Sequence, residues 1–204
     1  SREPLILRGL RFSGFRFGNV TMEDPTFALG YKDFNPVAVD SDNVALEYGV
    51  SRAEQDEWAA RSHENYGKSW NAGKFKDEII PLPIPQPTGA PKELNIDEQY
   101  RPGATVEGLS KLKTVYNTRA ITAGNAPGLN DGATAILVMS REKARELGLG
   151  VLATVVAQVS IAINASRLPE GPGFAMQQVL QKANLKIDDI AVMEINEAFA
   201  CVPL

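Results

Sequence analysis

Apolar and polar positions change rhythm several times along this chain. Residues 1–37 hold a short apolar run at Leu5, Ile6 and Leu7, then alternate among Arg, Phe and Gly with no sustained period. They read as loop with short helical or strand pieces. Residues 40–49 place Val44, Ala45 and Tyr48 on one face, as a short helix would. Ser51, followed three residues later by Glu54, forms a capping box in which each residue bonds the other's backbone end. The helix it starts carries Ala59, Ser62, Tyr66 and Trp70 along one stripe, and Gly73 ends it. Residues 74–80 then read as a strand ending at Pro81.

Five prolines, at 81, 83, 85, 87 and 91, exclude a long helix or a central strand in residues 81–105. That stretch is expected to be loop, extended in places, and residues 106–112 fit a helical turn. A glycine-rich turn at 119–133 leads into 133–139, a continuous apolar run expected of a strand buried on both faces. Ser140 caps a helix over 141–147 that stops at Gly148. Residues 151–163, rich in Val, Ile, Ala and Thr, have the composition of a long strand. Pro172 suits the first turn of a helix whose apolar stripe is Met176, Val179, Leu180 and Ala183. Asp188 and Asp189 make a turn, 190–195 is a second strand, and 196–200 opens another helix. Strand, helix, strand, helix is the order of a layered α/β fold with a mixed or parallel sheet.

Composition narrows the function. The 204 residues are 44% apolar and 23% charged, enough for one or two globular domains. A net charge of −4 argues against non-specific nucleic-acid binding, which needs a basic surface. No apolar run reaches the roughly 18 residues of a membrane span, and the polar start Ser1-Arg2-Glu3-Pro4 is unlike a secretory leader. A cytoplasmic protein is expected. One cysteine, Cys201, excludes an internal disulfide framework, and one histidine, His63, excludes a histidine-based metal cluster. His63 is expected as an exposed helix residue and Cys201 as a packed thiol. The chain starts without methionine and its last residues enter what reads as a new element, so both ends are expected to be cuts inside a longer protein.

Three segments carry candidate chemistry. Asn196-Glu197-Ala198-Phe199-Ala200 follows an apolar run. Thr122-Ala123-Gly124-Asn125-Ala126-Pro127-Gly128-Leu129-Asn130-Asp131-Gly132-Ala133 is the glycine-rich segment. Residues 51–80 hold Ser-Arg-x-x-Gln-Asp and a Gly-x-Phe-x-x-Glu-Ile ending. In their order along the chain, 51–80, then 122–133, then 196–200, they resemble the thiolase family, the acetyl-CoA C-acetyltransferases and 3-ketoacyl-CoA thiolases. The resemblance implies an α/β thiolase fold: two βαβαβαββ halves, layered αβαβα, with a loop domain inserted in the first half. It divides the chain into 1–37, the tail of the N-terminal half; 38–117, the loop domain; 118–148, the last strand and helix of that half; and 149–204, the start of the C-terminal half.

The resemblance also implies roles. Asn196 would position a water that forms an oxyanion hole for a thioester or enolate oxygen; read from the residue type alone, Asn there is as fit to cap a helix. Read from the residue type, not from the resemblance, Glu197 would favour a helix N-terminus. Ala198 and Phe199 would border the pantetheine channel, with core packing the other reading of Phe199. Ala123, Gly124, Pro127 and Leu129 would lie against coenzyme A. Many thiolases carry serine where this chain has Pro127, which removes one hydrogen-bond donor to the pantetheine. Lys111, Leu112, Lys113, Val115 and Tyr116 would face the nucleotide, the cations meeting phosphates and the apolar groups adenine; a solvated loop is the plainer reading. Leu168, with Pro172, would line the acyl pocket.

Coenzyme A and acyl-CoA are then substrates, no cofactor is bound covalently, and the full-length protein is expected to be a homodimer or homotetramer acting in fatty acid metabolism, without nucleic-acid or membrane partners. The family's nucleophilic Cys-x-Ser-Gly, its Gly-His-Pro and its Cys-x-Gly-Gly do not occur in these 204 residues. The chain alone is therefore expected to be inactive and poorly cooperative in folding. The alternative from another class is a thiolase-like protein that binds acyl-CoA or a partner subunit without turnover.

Overall fold

The computed structural model describes residues 35–204. The expectations for residues 1–34 lie outside these residues. The chain divides into two units: Ser1–Val44 with Leu129–Asn196, and Ala45–Gly128 with Glu197–Leu204.

The unit of 45–128 and 197–204 is organised by helix α2, Arg52–Asn71. Ser51 caps it as the sequence predicts: its side chain accepts from the Glu54 N–H, and its own N–H and hydroxyl donate to the Glu54 carboxylate at 2.7 Å each. These exposed bonds hold the Glu54 carboxyl below its ordinary value, through the Ser51 backbone and then its side chain. Gly73, at φ +69, closes the helix: the Gly73 N–H donates to the Trp70 carbonyl and the Lys74 N–H to the Ser69 carbonyl. That left-handed step suits a residue without Cβ. Helix α1, Val37–Glu47, precedes α2 and starts three residues earlier than the apolar pattern indicates.

Residues 74–78 form turns, and no strand is assigned over the expected 74–80; the Glu78 and Ile79 N–H groups bond back to the Phe75 carbonyl. The strands come later, as a two-stranded antiparallel ribbon of β1, Leu82–Ile84, and β2, Lys92–Leu94, with Pro83 opposite Glu93. Proline is tolerated because both strands of a ribbon are edges. Helix α3, Val106–Ser110, capped by the Thr105 hydroxyl, packs on α2. A small core of Ala59, Leu109 and Ala200 sits between them, flanked by Trp58 and Ala60. Further along α2, Tyr66 gathers Trp70, Phe75 and Tyr100, with ring centroids 6.3, 5.5 and 4.9 Å away.

In the other unit, Ser140 caps α4, Arg141–Glu146, as expected, its side chain accepting from the Lys143 N–H. A 3₁₀ turn, Ala165–Glu170, held by an Arg167–Glu170 ion pair, leads into α5, Gly171–Ala183. Pro172 lies in the first turn of α5, and Met176, Val179, Leu180 and Ala183 are half-buried along it. A second 3₁₀ turn, Ile187–Asp189, follows.

The strands expected over 133–139, 151–163 and 190–195 are not assigned among the described residues. A strand is defined by a hydrogen-bonded neighbour, and the described residues supply no ladder to these segments. Neither is 133–139 buried on both faces: Ile136 and Leu137 are 82% and 77% exposed. Apolar composition specifies a preference for pleated surface; it does not supply the surface. The helix expected from 196 is also absent: the backbone there turns, with the Val202 N–H donating to the Phe199 carbonyl at 3.0 Å.

Candidate functional site

The glycine-rich turn is built by its own short side chains. The Val115 N–H donates to the Ile121 carbonyl at 2.9 Å, and Thr114 bridges Thr122 in antiparallel fashion. Inside this loop the Thr118 hydroxyl lies 2.6 Å from the Val115 carbonyl and 3.0 Å from that of Ile121. Tyr116 and Asn117 take positive φ at its tip, +52° and +59°. The next bend is tied by Asn125, whose side-chain oxygen accepts from the Thr122 N–H at 2.8 Å, while the Gly124 N–H donates to the Thr122 hydroxyl at 3.1 Å.

Asn125 is a hub. Its Nδ2 donates to the Ala120 carbonyl and to Asp56 Oδ1 on α2, both at 3.0 Å, and its carbonyl accepts from the Ala200 N–H at 3.0 Å. Asp56, 1% exposed, takes Arg52 Nε on its other oxygen at 2.6 Å. Arg52 in turn donates through Nη2 to the carbonyls of Leu109 and Leu112, at 2.7 and 3.2 Å. One buried carboxylate thus joins α2, the end of α3, the glycine-rich turn and residue 200. A buried charge is tolerable only when paired and hydrogen-bonded in this way.

The segment after Asn196 is held from two sides. Beyond the Ala200 bond, Trp58 Nε1 donates to Glu197 Oε1 at 2.8 Å and the Ser62 hydroxyl to Glu197 Oε2 at 2.5 Å. Glu197 therefore does not sit at a helix N-terminus, as expected above; it is bound by side chains of α2. Asn196 likewise caps no helix, because none starts there. It is exposed, and no described residue hydrogen-bonds its amide.

The remaining expected site residues fall as follows. Lys111, Lys113, Ala123 and Pro127 are exposed, Leu112 and Tyr116 are 40% and 54% exposed, and Val115 and Gly124 are half-buried. A Cβ on Gly124 would lie 2.5 Å from Leu109 Cδ2 and 2.6 Å from Leu112 Cδ1, so the absence of a side chain there serves packing against α3 and its exit. Ala198 is half-buried and Phe199 is 8% exposed. All of these belong to the unit of 45–128 and 197–204, which brings together 109–125 and 197–200. Leu129, 86% exposed, Leu168, 47% exposed, and Asn196 belong to the other unit. His63 is half-buried rather than exposed: its Nδ1 accepts from the Arg101 N–H and its ring lies 6.2 Å from that of Tyr100. Cys201 is buried, in a turn rather than a helix. Among the described residues no group of acids, histidine and cysteine is arranged to hold a metal, and no helix is long and apolar enough to cross a membrane.

Asp56, Asn125, Trp58, Ser62 and Arg52, which hold these segments together, were not singled out from the sequence. One signal was available for Asp56: it shares a helical face with Ala59 and Gly67, whose small side chains mark the packed side of α2.

Comparison with known proteins agrees with the resemblance. Residues 1–142 match the family described as Thiolase, N-terminal domain, and residues 149–204 match Thiolase, C-terminal domain. An acetyl-CoA acetyltransferase of Cupriavidus necator is 40% identical over 208 aligned positions, covering 100% of this chain and 53% of that protein. The crystal structure of the Bacillus anthracis acetyl-CoA acetyltransferase superposes with a TM-score of 0.89 at 33% identity, over 98% of this chain and 51% of the other. That of human mitochondrial 3-ketoacyl-CoA thiolase in complex with CoA gives 0.86 at 30%, over 98% and 50%. The chain spans about half the length of the curated relatives it matches. With family matches over both parts of the sequence and α/β thiolase folds as its structural neighbours, the chain belongs to the thiolase family.

Proposed function

We propose that this chain forms part of an acyl-CoA C-acyltransferase that cleaves 3-ketoacyl-CoA with coenzyme A, or condenses two acyl-CoA molecules, through a cysteine acyl-enzyme. In this reading it holds the inserted loop domain and the junction of the two thiolase halves. The observation that carries the reading is the 3.0 Å bond from the Ala200 N–H to the Asn125 carbonyl. It joins the Asn-Glu-Ala-Phe-Ala segment to the glycine-rich turn, the two stretches that the reading assigns to the thioester and to coenzyme A.

Asn196 would act as a donor. Its amide has no charge to gain or lose near neutral pH, so it contributes by holding a water against the oxygen on which negative charge develops. That its amide is claimed by no described residue suits this role. Lys111 and Lys113, exposed on the segment after α3, would meet the phosphates, with Leu112, Val115 and Tyr116 against the base. Ala123, Gly124, Pro127, Leu129, Ala198 and Phe199 would flank the pantetheine, and Leu168 the acyl group. The nucleophilic cysteine, the histidine and the second cysteine would come from other parts of the full-length protein, so this chain alone would not turn over.

The test is thiolytic cleavage of acetoacetyl-CoA by the full-length protein. Asn196→Ala should lower kcat by about 10²–10³, the usual cost of removing an oxyanion donor, with CoA affinity unchanged. Full activity in that variant would remove the reading. Coenzyme A binding without any turnover in the native full-length protein would favour the non-catalytic alternative.

A further inference from the structure

Glu197 has no part in the roles assigned above, yet it is the most firmly held residue next to Asn196. Its two carboxylate oxygens take two different donors, Trp58 Nε1 and Ser62 Oγ, both from α2. The donors are four residues apart, so the helix presents them on one face with a fixed spacing. Trp58 is itself restrained: it packs on the core of Ala59, Leu109 and Ala200, and the Arg61 guanidinium lies 3.8 Å over its ring. Three residues on, the Ala200 N–H is fixed to Asn125. The segment is therefore pinned at 197 and at 200. One trans peptide separates Glu197 from Asn196, a Cα spacing of about 3.8 Å.

We infer that Glu197 is a positioning residue: clamped by Trp58 and Ser62, it fixes the backbone from which the Asn196 amide is presented. This rests on the oxyanion reading of Asn196 and extends it. An exposed side-chain amide has several rotamers open to it. Catalysis by a preorganised donor requires its place to be set before the charge develops. A charge-assisted bond to each carboxylate oxygen sets both position and twist of residue 197. A clamp of this kind lowers kcat far more than it weakens coenzyme A binding when it is lost, since Trp58, Ser62 and Glu197 are not themselves assigned to that ligand and the Ala200–Asn125 bond still holds the stretch of Ala198 and Phe199.

The experiment compares five variants of the full-length enzyme, Asn196→Ala among them, by kcat, KM and the dissociation constant for coenzyme A. Trp58→Phe with Ser62→Ala removes both donors and keeps the aromatic ring. Glu197→Ala removes the acceptor. Both should lower kcat about tenfold, since small misplacements of a catalytic group cost one to two decades, with the coenzyme A dissociation constant within twofold of native. Combining all three changes should add nothing further. Glu197→Gln should restore most of kcat, because its amide oxygen still accepts from Trp58 and its NH₂ donates to the Ser62 hydroxyl. Native kcat in the double variant, with Asn196→Ala strongly impaired, overturns the clamp and leaves the oxyanion role standing. Native kcat in Asn196→Ala overturns both. Equal loss of kcat and of coenzyme A affinity also overturns the clamp, since it marks general disruption.

Discussion

Removing the Asp56 carboxylate tests whether one buried charge organises the glycine-rich turn. In Asp56→Ala, Asn125 Nδ2 loses one of two acceptors and Arg52 Nε loses its carboxylate, at a position only 1% exposed. Arg52 keeps its two carbonyl bonds and is about a quarter exposed, so its charge is not stranded. Breaking a buried pair by deleting one partner typically costs about 3–5 kcal/mol. The exposed fraction of Arg52 and the bond Asn125 retains to Ala120 place this case at the low end, about 3 kcal/mol. Spread over local opening of residues 113–125, that is about two decades in amide protection at 1.4 kcal/mol per decade. Hydrogen exchange read by mass spectrometry on peptides of this stretch, in the full-length protein, measures it directly. Peptides from α5 should be unaffected. Asp56→Asn should cost less, since its carbonyl still accepts from one donor. Protection over 113–125 within threefold of native in Asp56→Ala would refute the carboxylate's organising role.

Two other outcomes follow from the same unit. Gly124→Ala forces a Cβ within 2.6 Å of Leu109 and Leu112; overpacking should cost about 1–3 kcal/mol, read as a lower Tm, and Leu112→Ala in the same chain should recover part of it. Burial, then Arg101, lowers the pKa of His63, partly offset by Asp97 and Glu197. The folded protein thus holds the His63 proton less tightly than the unfolded chain does. Its contribution is complete above the unfolded value of about 6.5 and is lost as pH falls through the lower folded value. An NMR titration should place the His63 midpoint below that of a free histidine; a midpoint at or above it would contradict the packing seen here.

Local chemistry was legible where the signal is local. Ser51 with Glu54, Ser140 and the Pro172 start of α5 could be read because a cap is satisfied within four residues of itself. Residues 74–80 differ from the expected strand because the backbone bonds of Glu78 and Ile79 close turns on Phe75. The apolar segments 133–139 and 151–163 show the limit of composition, since a ladder depends on a neighbour that no window of sequence contains. The site was legible as motifs and illegible as a network. Asp56 and Asn125 are 69 positions apart, and Trp58 and Glu197 are 139 apart. By residue type alone, Asp56 and Glu197 read as ordinary surface charges. It is the long-range pairing that makes one a buried hub and the other an anchor.

The most direct measurement is a crystal structure of the full-length protein with an acyl-CoA bound. The Asn196 side-chain amide should lie within hydrogen-bond distance, about 3 Å, of a water that also contacts the thioester oxygen, with Glu197 still held by Trp58 and Ser62. A thioester oxygen bound elsewhere, with the Asn196 amide turned to bulk solvent, would contradict the oxyanion role of Asn196.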